Sequence, residues 1–443
     1  MPSVEETTPD TPLRVGWSPL YEEPRLAKQL GLKKLWVKDD GQNPTASLKD
    51  RASAMAVAKA GEAGAKIIAC SSTGNAASSL AGNAAAAGLK TFIFVPERAP
   101  KGKVAQLMTF GANVISVKGN YEETFELSKK AIDKWGWYNR NAAINPYLSE
   151  GKKTVSLEIA EQLDWKMPDY LAISVGDGCT IAGVWKGLKD LYAIGFIDKL
   201  PRLISAQAEG CHPINRAIAE NKPWEPMEEN TLADSIAVGV PRNADKALMV
   251  IRESNGIVVN VTDEEIMAAQ KLLGTTCGVF GEPAGVTGTA AVKKLCEQGA
   301  LGENDTVVSV VTGNGLKDVA NAIKDLDLFV SLHTNAAGSG WGSARGWEIY
   351  ASSPGDTAGR NIAAKAIAKR VQEAGVAVHG EAVKHERFYV LKNTTAPAVL
   401  IEHGFHTNKE DVALLKSADY RKKLAVAQCK GILDYLGIAY DGQ

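Results

Sequence analysis

Residues 43–51 read NPTASLKDR, and this stretch decides how the chain is interpreted. Asn43 and Pro44 are typical of a turn, and the residues that follow favour a helix that begins near Lys49. The partial positive charge at a helix N-terminus and the charge of Arg51 both disfavour a protonated amine, which lowers its pKa. Most lysines lie on the surface in solvent. A lysine in this setting is a candidate nucleophile, so the stretch predicts a reactive amine.

Two further polar turns follow apolar, strand-like runs. Residues 71–75 read SSTGN, and residues 176–180 read GDGCT, a glycine-rich turn before a predicted helix near 182–189. Backbone N–H groups at a helix N-terminus bind phosphate. Each turn taken alone also fits an ordinary N-cap or tight turn. Together with Lys49, the hydroxyl and amide turn and the phosphate cradle are the groups needed to hold pyridoxal phosphate covalently.

Short β-branched runs alternate with amphipathic helices between Lys34 and Gly315. Most runs lack two-residue alternation, which favours parallel strands buried on both faces. The rhythm predicts an α/β fold with two lobes, twisted, mainly parallel sheets and flanking helices. Ligands of such folds bind beyond the carboxyl ends of strands, where the three turns fall. The predicted strands are 35–37, 67–70, 91–95, 114–117, 171–175, 203–207, 256–261 and 307–311, and the predicted helices include 51–63, 104–110, 121–135, 152–162 and 263–273.

The pattern changes near residue 325, which predicts two domains, 1–325 and 326–443. Five of the six histidines follow residue 330, an asymmetry typical of two joined proteins. Within the first domain, residues 52–145 carry their own strands and helices and predict an inserted smaller lobe. The tail is expected to contain strands at 328–332, 347–350, 388–391 and 399–402 and helices at 357–374 and 420–436.

Residues 43–51 resemble the NPTxSxKDR signature of fold-type-II pyridoxal-phosphate enzymes. Other stretches sharpen the resemblance to the threonine synthase family, and it extends from about residue 16 to 324. These stretches are Ser72–Ser78, Asn145–Tyr147, Glu150–Thr154, Glu282–Ala284 and Thr312–Asp318. The resemblance implies a lyase that converts O-phospho-L-homoserine and water to L-threonine and phosphate.

The resemblance also implies a role for each matching residue. Lys49 would bind the cofactor covalently and then move protons at the substrate's carbon atoms. Asn75 would hydrogen-bond the phenolic oxygen of the cofactor, and Thr312 would hydrogen-bond its pyridine nitrogen. The cofactor phosphate would be held by the backbone N–H groups of Gly176, Asp177, Gly178, Cys179 and Thr180.

The phosphate of the substrate needs donors of its own. The resemblance implies that they come from Ser72, Thr73, Ser78, Asn145, Lys152 and Lys153. Many relatives carry an arginine directly after the Asn-Pro-Tyr motif, where this chain has Leu148. The paired lysines are expected to substitute for that arginine as point charges.

The tail resembles a second family, the zinc N-acetylmuramoyl-L-alanine amidases, over residues 326–443. The resemblance lies in residues 328–336, 388–394 and 397–405. It would make His333 a zinc ligand and Glu402 the catalytic carboxylate. That family's domain begins with a GHGG turn and a helix that carries a ligand glutamate, and this chain has neither. Catalytic zinc takes about three protein ligands, so the ligand count argues against a zinc site and predicts a partial amidase-like domain.

Three interpretations remain open from the sequence. The first is a threonine synthase with an amidase-like appendage, with another fold-type-II enzyme, such as a threonine or serine dehydratase or a cysteine-synthase-like enzyme, as its runner-up. The second is a zinc amidase that acts on peptidoglycan and whose N-terminal part is not catalytic. The third is a binding or scaffold protein.

Composition bounds the partners and the compartment. The 443 residues carry a net charge of −1, which favours neither nucleic acid nor an anionic membrane as a partner. The six cysteines are scattered without a C-x-x-C pair, and the acidic, proline-rich N-terminus lacks the apolar core of a signal peptide. We expect a cytoplasmic enzyme with a small amino-acid substrate, and its resemblance implies a homodimer.

Overall fold

The chain divides into two compact units, residues 1–318 and 319–443. The predicted domain boundary at residue 325 lies outside the described residues. The computed structural model describes residues 12–99, 101–318, 327–352, 359–393 and 396–440.

The first unit alternates strands and helices as the sequence predicts. Its strands are β1 (Leu20–Glu22), β2 (Lys34–Asp39), β3 (Ile67–Ser71), β4 (Lys90–Pro96), β5 (Asn113–Val117), β6 (Tyr138–Asn139), β7 (Tyr170–Ser174), β8 (Arg202–Ala208), β9 (Ile257–Val261) and β10 (Thr306–Val311). Its helices are α1 (Pro24–Leu30), α2 (Lys49–Glu62), α3 (Asn75–Ala86), α4 (Lys101–Thr109), α5 (Tyr121–Trp135), α6 (Tyr147–Gln162), α7 (Cys179–Ala193), α8 (Pro213–Ala219), α9 (Ala244–Glu253), α10 (Asp263–Cys277) and α11 (Pro283–Glu297).

Two sheets organise this unit. The larger sheet has the strand order β1-β2-β10-β7-β8-β9, and all its neighbours are parallel except β1 and β2. The smaller sheet has the order β5-β4-β3-β6 and is parallel throughout. Buried apolar side chains lie on both faces of the larger sheet. The fold class predicted from the strand pattern is therefore confirmed.

Local sequence explains where several helices begin and end. α5 begins at a capping box, in which Asn120 and Glu123 each bond the backbone of the other. α10 has the same device in Thr262 and Glu265. Gly136 ends α5 in the left-handed region, with φ of 64°, where a side chain would be strained.

The second unit has a four-stranded sheet of its own, formed by β11 (Phe329–Asn335), β12 (Trp347–Ala351), β13 (Val378–His385) and β14 (Ala398–Phe405) in the order β11-β14-β12-β13. β12 runs antiparallel to β14, whereas β11 with β14 and β12 with β13 are parallel pairs. Trp347, Ile367 and Ile401 are fully buried in its core. Its helices are α12 (Arg360–Glu373), α13 (Tyr389–Asn393), α14 (Lys409–Lys416) and α15 (Ala418–Leu436).

One element of the tail is predicted wrongly. Residues 388–391 were expected to form a strand, but residues 389–393 form the short helix α13. Leu391 is fully buried against Tyr350 and Leu400, while Tyr389 is exposed. A short apolar run fits a strand or a buried helical turn equally well, so periodicity cannot decide between them. The start of the helix predicted at residues 357–374 falls partly outside the described residues.

A search of the described helices for a membrane span finds no candidate of sufficient length and apolar character.

Candidate active site

A cavity of about 160 Å³ lies in the first unit, where strands of both sheets end. β3, β7 and β10 all direct their carboxyl ends toward it, as expected of ligand sites in parallel sheets. The side chains and backbone that line it include Lys49, Cys70, Ser71, Ser72, Arg140, Asn141, Lys152, Gly176, Asp177, Gly178, Cys179, Thr180, Ser235, Glu282 and Thr312.

Asp50 shapes the turn that leads to Lys49. Its carboxylate accepts hydrogen bonds from the backbone N–H of Thr45, at 2.7 Å, and from the Thr45 hydroxyl, at 2.8 Å. It also accepts one from Nδ2 of Asn83, at 2.8 Å. The backbone N–H of Leu48 donates to the carbonyl oxygen of Thr312, at 2.9 Å. These bonds join the start of α2 to the end of β10 and hold Lys49 at the cavity.

Arg51 anchors the same turn from the other side. Its guanidinium, almost fully buried, donates Nε to Asp40 Oδ2 at 2.7 Å and Nη2 to Glu158 Oε2 at 2.7 Å. Nζ of Lys38 also donates to Glu158, at 2.8 Å. Burial would raise the pKa of Glu158, but Arg51 and Lys38 outweigh it and lower that pKa to about 2. The Lys-Asp-Arg sequence thus directs its lysine to the cavity and uses the next two residues as anchors.

Lys49 lies in the cavity wall and is half-buried. Burial lowers the pKa of Lys49 to about 8, with the positive charges of Lys152 and Arg140 acting in the same direction and Glu282 acting against them. A neutral amine is the form that attacks an aldehyde. The sequence predicted the lowered pKa from Arg51 and the helix end, but burial is its main cause.

Glu282 is a buried carboxyl group in the cavity wall, 4% exposed. Its Oε1 accepts a hydrogen bond from Nδ2 of Asn75 at 2.6 Å. Burial raises the pKa of Glu282 to about 7, against the influence of Lys49 and of the Asn75 hydrogen bond. Gly313 passes close beside it, since a Cβ there would lie 2.3 Å from Oε1. A side chain at position 313 would therefore require the Glu282 carboxyl group to shift.

Residues 176–180 form a cradle at the start of α7. Gly178 has φ of 84°, and a Cβ at that position would meet Ala247 and the Asn243 carbonyl oxygen at 2.8 Å. The backbone carbonyl and carboxylate of Asp177 accept hydrogen bonds from the N–H groups of Asn243, at 3.1 Å, and Arg242, at 2.7 Å. The loop is thus fixed at the positive end of a fifteen-residue helix, which suits a phosphate group. These donors, with Lys49 beside them, fit pyridoxal phosphate.

The structure brings most of the predicted cofactor residues to one cavity. Lys49, the loop 176–180 and Thr312 line it, and so do Ser72 and Lys152 from the predicted substrate set. Asn75 is not one of the lining residues, but its Nδ2 donates a hydrogen bond to Glu282, which lines the cavity.

Four of the predicted substrate residues are not among those that line the cavity. Ser78 accepts a hydrogen bond from Nζ of Lys317 at 2.9 Å. Nδ2 of Asn145 donates to the Asn139 carbonyl oxygen at 3.0 Å. Thr73 is half-buried and is not one of the lining residues. Lys153 pairs with Glu150 at 2.7 Å and with Asp190 at 2.9 Å. Lys152 and Lys153 are therefore not equivalent, although both were predicted to bind the phosphate of the substrate.

Sequence reasoning missed Arg140 and Asn141, which follow β6. Asn141 Oδ1 accepts from the Ser71 backbone N–H at 2.7 Å, and the Arg140 N–H donates to the Ala69 carbonyl oxygen at 2.9 Å. These contacts join residues about seventy positions apart, and β6 has only two residues. No local pattern could have predicted them. Glu282 was recognised only as part of a motif.

The second unit carries two of the predicted site residues, His333 and Glu402. His333 on β11 and Glu402 on β14 are register partners in the sheet. Burial raises the pKa of Glu402, whose Oε2 has no hydrogen-bond partner in the described part of the chain. Within the described ranges, no three His, Cys, Asp or Glu side chains are grouped so that they could hold a metal ion.

Comparisons with known proteins agree with this geometry. A family model described as "Pyridoxal-phosphate dependent enzyme" matches residues 12–313. A protein named threonine synthase from Methanocaldococcus jannaschii is 42% identical over 314 residues, which cover 70% of this chain and 77% of that protein. A threonine synthase from Halalkalibacterium halodurans is 40% identical, over 73% of this chain and 89% of that protein.

Solved structures show the same fold. A maize serine racemase matches with a TM-score of 0.60 and 24% identity, over 68% of this chain and 89% of that one. The threonine deaminase isoform 2 of Solanum lycopersicum matches with a TM-score of 0.59 and 21% identity, over 69% and 86%. The chain belongs to the pyridoxal-phosphate dependent enzymes, and its cofactor is pyridoxal phosphate. The curated relatives named above are all threonine synthases.

A second family model, described as "N-acetylmuramoyl-L-alanine amidase", matches residues 302–434. The two matches share residues 302–313, which contain β10. β10 is hydrogen-bonded to β2 and β7 in the larger sheet of the first unit. The amidase-like region therefore shares its first matched strand with the pyridoxal-phosphate fold.

Proposed function

We propose that the first unit converts O-phospho-L-homoserine and water to L-threonine and phosphate. The observation that supports the proposal is that Lys49 and the loop of residues 176–180 at the start of α7 line one cavity. Relatives named threonine synthase, about 40% identical over most of the unit, support the choice of reaction.

Pyridoxal phosphate, when bound, supplies an electron sink for negative charge that develops on substrate carbon atoms. Lys49 is the residue that holds the cofactor and that moves protons. Residues 176–180 bind its phosphate, and Thr312 is the proposed partner of its ring nitrogen. Asn75, held by Glu282, is the proposed partner of its phenolic oxygen.

The proposed proton transfers belong to Lys49, because its amine lies in the cavity and has a pKa of about 8. It removes one proton from Cα and one from Cβ. The bond between Cγ and oxygen breaks, and its electron pair leaves with the phosphate. Protons are then returned to Cγ and Cα, water adds a hydroxyl group to Cβ, and the other proton of the water leaves with the phosphate. The net change consumes one water and releases one phosphate.

The substrate donors implied by the resemblance divide into residues that line the cavity and residues that do not. Lys153 is in the second group, since it pairs with Glu150 and Asp190. Ser72 and Lys152 lie on the cavity wall and are proposed to contact the substrate directly. Thr73, Ser78 and Asn145 are proposed to support them.

Other fold-type-II reactions are tested in the same experiment. The purified enzyme with its cofactor is incubated separately with O-phosphohomoserine, with L-threonine, and with O-acetylserine plus sulfide. We expect threonine and phosphate to form at the highest kcat/KM with the first substrate. A higher kcat/KM for 2-oxobutyrate from threonine would identify a dehydratase, and one for cysteine from O-acetylserine would identify a β-replacement enzyme.

The enzyme is proposed to act in the cytoplasm as a homodimer. All six cysteines are free thiols in the structure, as expected in a reducing compartment. The end of α7 and the turn after it expose Tyr192, Ile194 and Phe196, which offer apolar surface to a second copy. Sedimentation equilibrium of the purified protein measures the assembly directly, and a mass of one chain would exclude the dimer.

A further inference from the structure

The cavity contains a second group of buried cations, separate from the phosphate cradle at the start of α7. Arg140 follows β6 and is 2% exposed. Its Nε and Nη2 both donate to the Ser53 hydroxyl at 3.1 Å. Ser53 lies four residues after Lys49 on α2, and residues at this spacing share a helix face. The Ser53 contact therefore holds the guanidinium charge on the same side of α2 as the reactive amine.

Lys152 brings the second charge from α6. It is 4% exposed and lines the cavity, and no carboxylate of the described residues lies within ion-pair distance of its amine. Its Cβ lies 3.0 Å from where a Cβ of Gly183 would be, so this glycine lets α6 approach α7 closely. A buried charge costs free energy unless it is paired. Lys152 therefore calls for an anion inside the cavity.

The acidic groups of the wall have other partners. The Asp177 carboxylate accepts the backbone N–H of Arg242, and Glu282 accepts the amide of Asn75. The cofactor's phosphate has its own backbone donors in residues 176–180. The charge of Lys152, which lines the same cavity as Arg140, therefore suits an anion that arrives with the substrate.

Leu148 supplies no charge to the cavity. Its side chain is 2% exposed and packs in the apolar core beside the smaller sheet, together with Val57 and Leu80. The positive charges near Lys49 therefore come from Arg140 and Lys152.

We propose that Arg140 joins Lys152 in binding the phosphate of the substrate and is a specificity-determining residue of this site. This inference rests on the proposed function and deepens it. The guanidinium and the ammonium bind the dianion in the substrate and stay with it as it leaves. The enzyme's specificity for a phosphate group thus comes from Arg140, after β6, and from Lys152, on α6.

The test measures binding to the enzyme with its cofactor. The probe is the phosphonate analogue of O-phosphohomoserine, in which a methylene group replaces the bridging oxygen so that the phosphorus group cannot leave. Binding is followed through the visible absorbance of the cofactor. L-Norvaline has the same chain length without the phosphonate, and it is the reference ligand that lacks the phosphonate charge.

We expect Arg140→Gln and Lys152→Gln each to weaken phosphonate binding about 10- to 100-fold, the range for losing a charge-assisted contact. Arg140→Lys keeps the charge and should lose less. Binding of norvaline and of the cofactor should change less than about twofold. Lys186→Met, which removes a surface lysine paired with Glu150 and Asp190, is the matched control and should bind as the unaltered chain does.

Two results would overturn the inference. One is unchanged phosphonate binding in both glutamine variants. The other is loss of cofactor affinity instead of phosphonate affinity, which would assign these charges to the cofactor. If Arg140→Gln does not fold, Arg140→Lys and Lys152→Gln decide the question by the same measurement. If the unaltered enzyme makes no threonine, the proposed function fails; if it does and the variants bind normally, only this inference fails.

Discussion

The two units of this chain differ in how completely their chemically important residues are assembled. In the first unit, strand ends from two sheets bring an amine, a phosphate cradle and two further cations to one cavity. In the second unit, His333 and Glu402 are register partners, but no three His, Cys, Asp or Glu side chains of the described residues are grouped so that they could hold a metal ion. The difference teaches that motif residues define a site only when the elements that carry their partners are also present.

β10 shows the reason most clearly. Both family matches include it, yet its hydrogen bonds go to β2 and β7 of the first unit. A strand between two neighbours in one sheet cannot serve a second sheet. The amidase-like unit is therefore built on the strands β11 to β14 in the described part of the chain.

The largest expected effect comes from Lys49→Ala. If the first unit holds the only working centre for threonine formation, this change removes the visible absorbance of the bound cofactor. It also lowers kcat by about 10³-fold or more, because a positioned proton-transfer group is lost. Absorbance spectra and threonine formation measure both effects. Lys271→Ala, at an exposed position on α10, is the control, and equal loss in both variants would contradict the assignment.

Arg51→Met tests whether the site depends on its buried anchor. We expect the free energy of unfolding of the first unit to fall by about 3–5 kcal/mol, since Asp40 and Glu158 lose a buried partner. The lowered pKa of Glu158 means that this stabilisation is present above pH about 4.5 and is lost as the pH falls toward about 2. Urea unfolding at pH 7 and pH 3 measures it.

Lys199→Met, which removes an ion pair on the surface, is the control for the anchor and should have a much smaller effect. An Arg51 variant no less stable than this control would mean that the buried network does not support the cavity.

The pH dependence of cofactor attachment tests the environment of Lys49. The rate at which pyridoxal phosphate attaches to the cofactor-free protein should rise with pH through about 8, because only the neutral amine attacks. Lys152→Gln removes a positive charge that lowers the pKa of Lys49, so it should move the midpoint of the rate profile to higher pH. Glu282→Gln removes a negative charge that raises this pKa, so it should move the midpoint to lower pH. Rapid-mixing absorbance measures the rate. A midpoint near 10.5 would show an ordinary, solvated lysine.

The smallest effects are expected in the second unit. His333→Ala and Glu402→Gln should change threonine formation by less than about twofold, because both residues belong to the second unit and the cavity is formed by residues of the first. We also expect the zinc content of the purified protein, measured by mass spectrometry of the metal, to be the same in both variants. A zinc content that falls on mutation of His333, together with peptidoglycan cleavage, would break the comparison and establish a second active centre.

Local sequence predicted the parts of the site that depend on short-range geometry. Lys49, Gly178 and Thr312 each lie where a turn meets a strand or helix end, so their positions follow from neighbouring residues. The predicted strands of the larger sheet match the observed ones to within about two residues for the same reason, since buried parallel strands are continuous apolar runs.

The rest depended on contacts between distant residues. Arg140 lies at the cavity because β6 pairs with β3, and no sequence pattern in residues 138–141 predicts that pairing. Lys152 and Lys153 are adjacent on α6, where successive side chains point about 100° apart, so only the packing of α6 on α7 decides which one faces the cavity. Helix α13 was missed because five residues are too few to show a period.

The most direct test of the account is to reduce the full-length enzyme with borohydride after it has bound pyridoxal phosphate, and then to locate the cofactor by mass spectrometry of its peptides. The account predicts one label per chain, on Lys49, and threonine formation that disappears in proportion to labelling. A label on another lysine, or full activity without any label on Lys49, would contradict it.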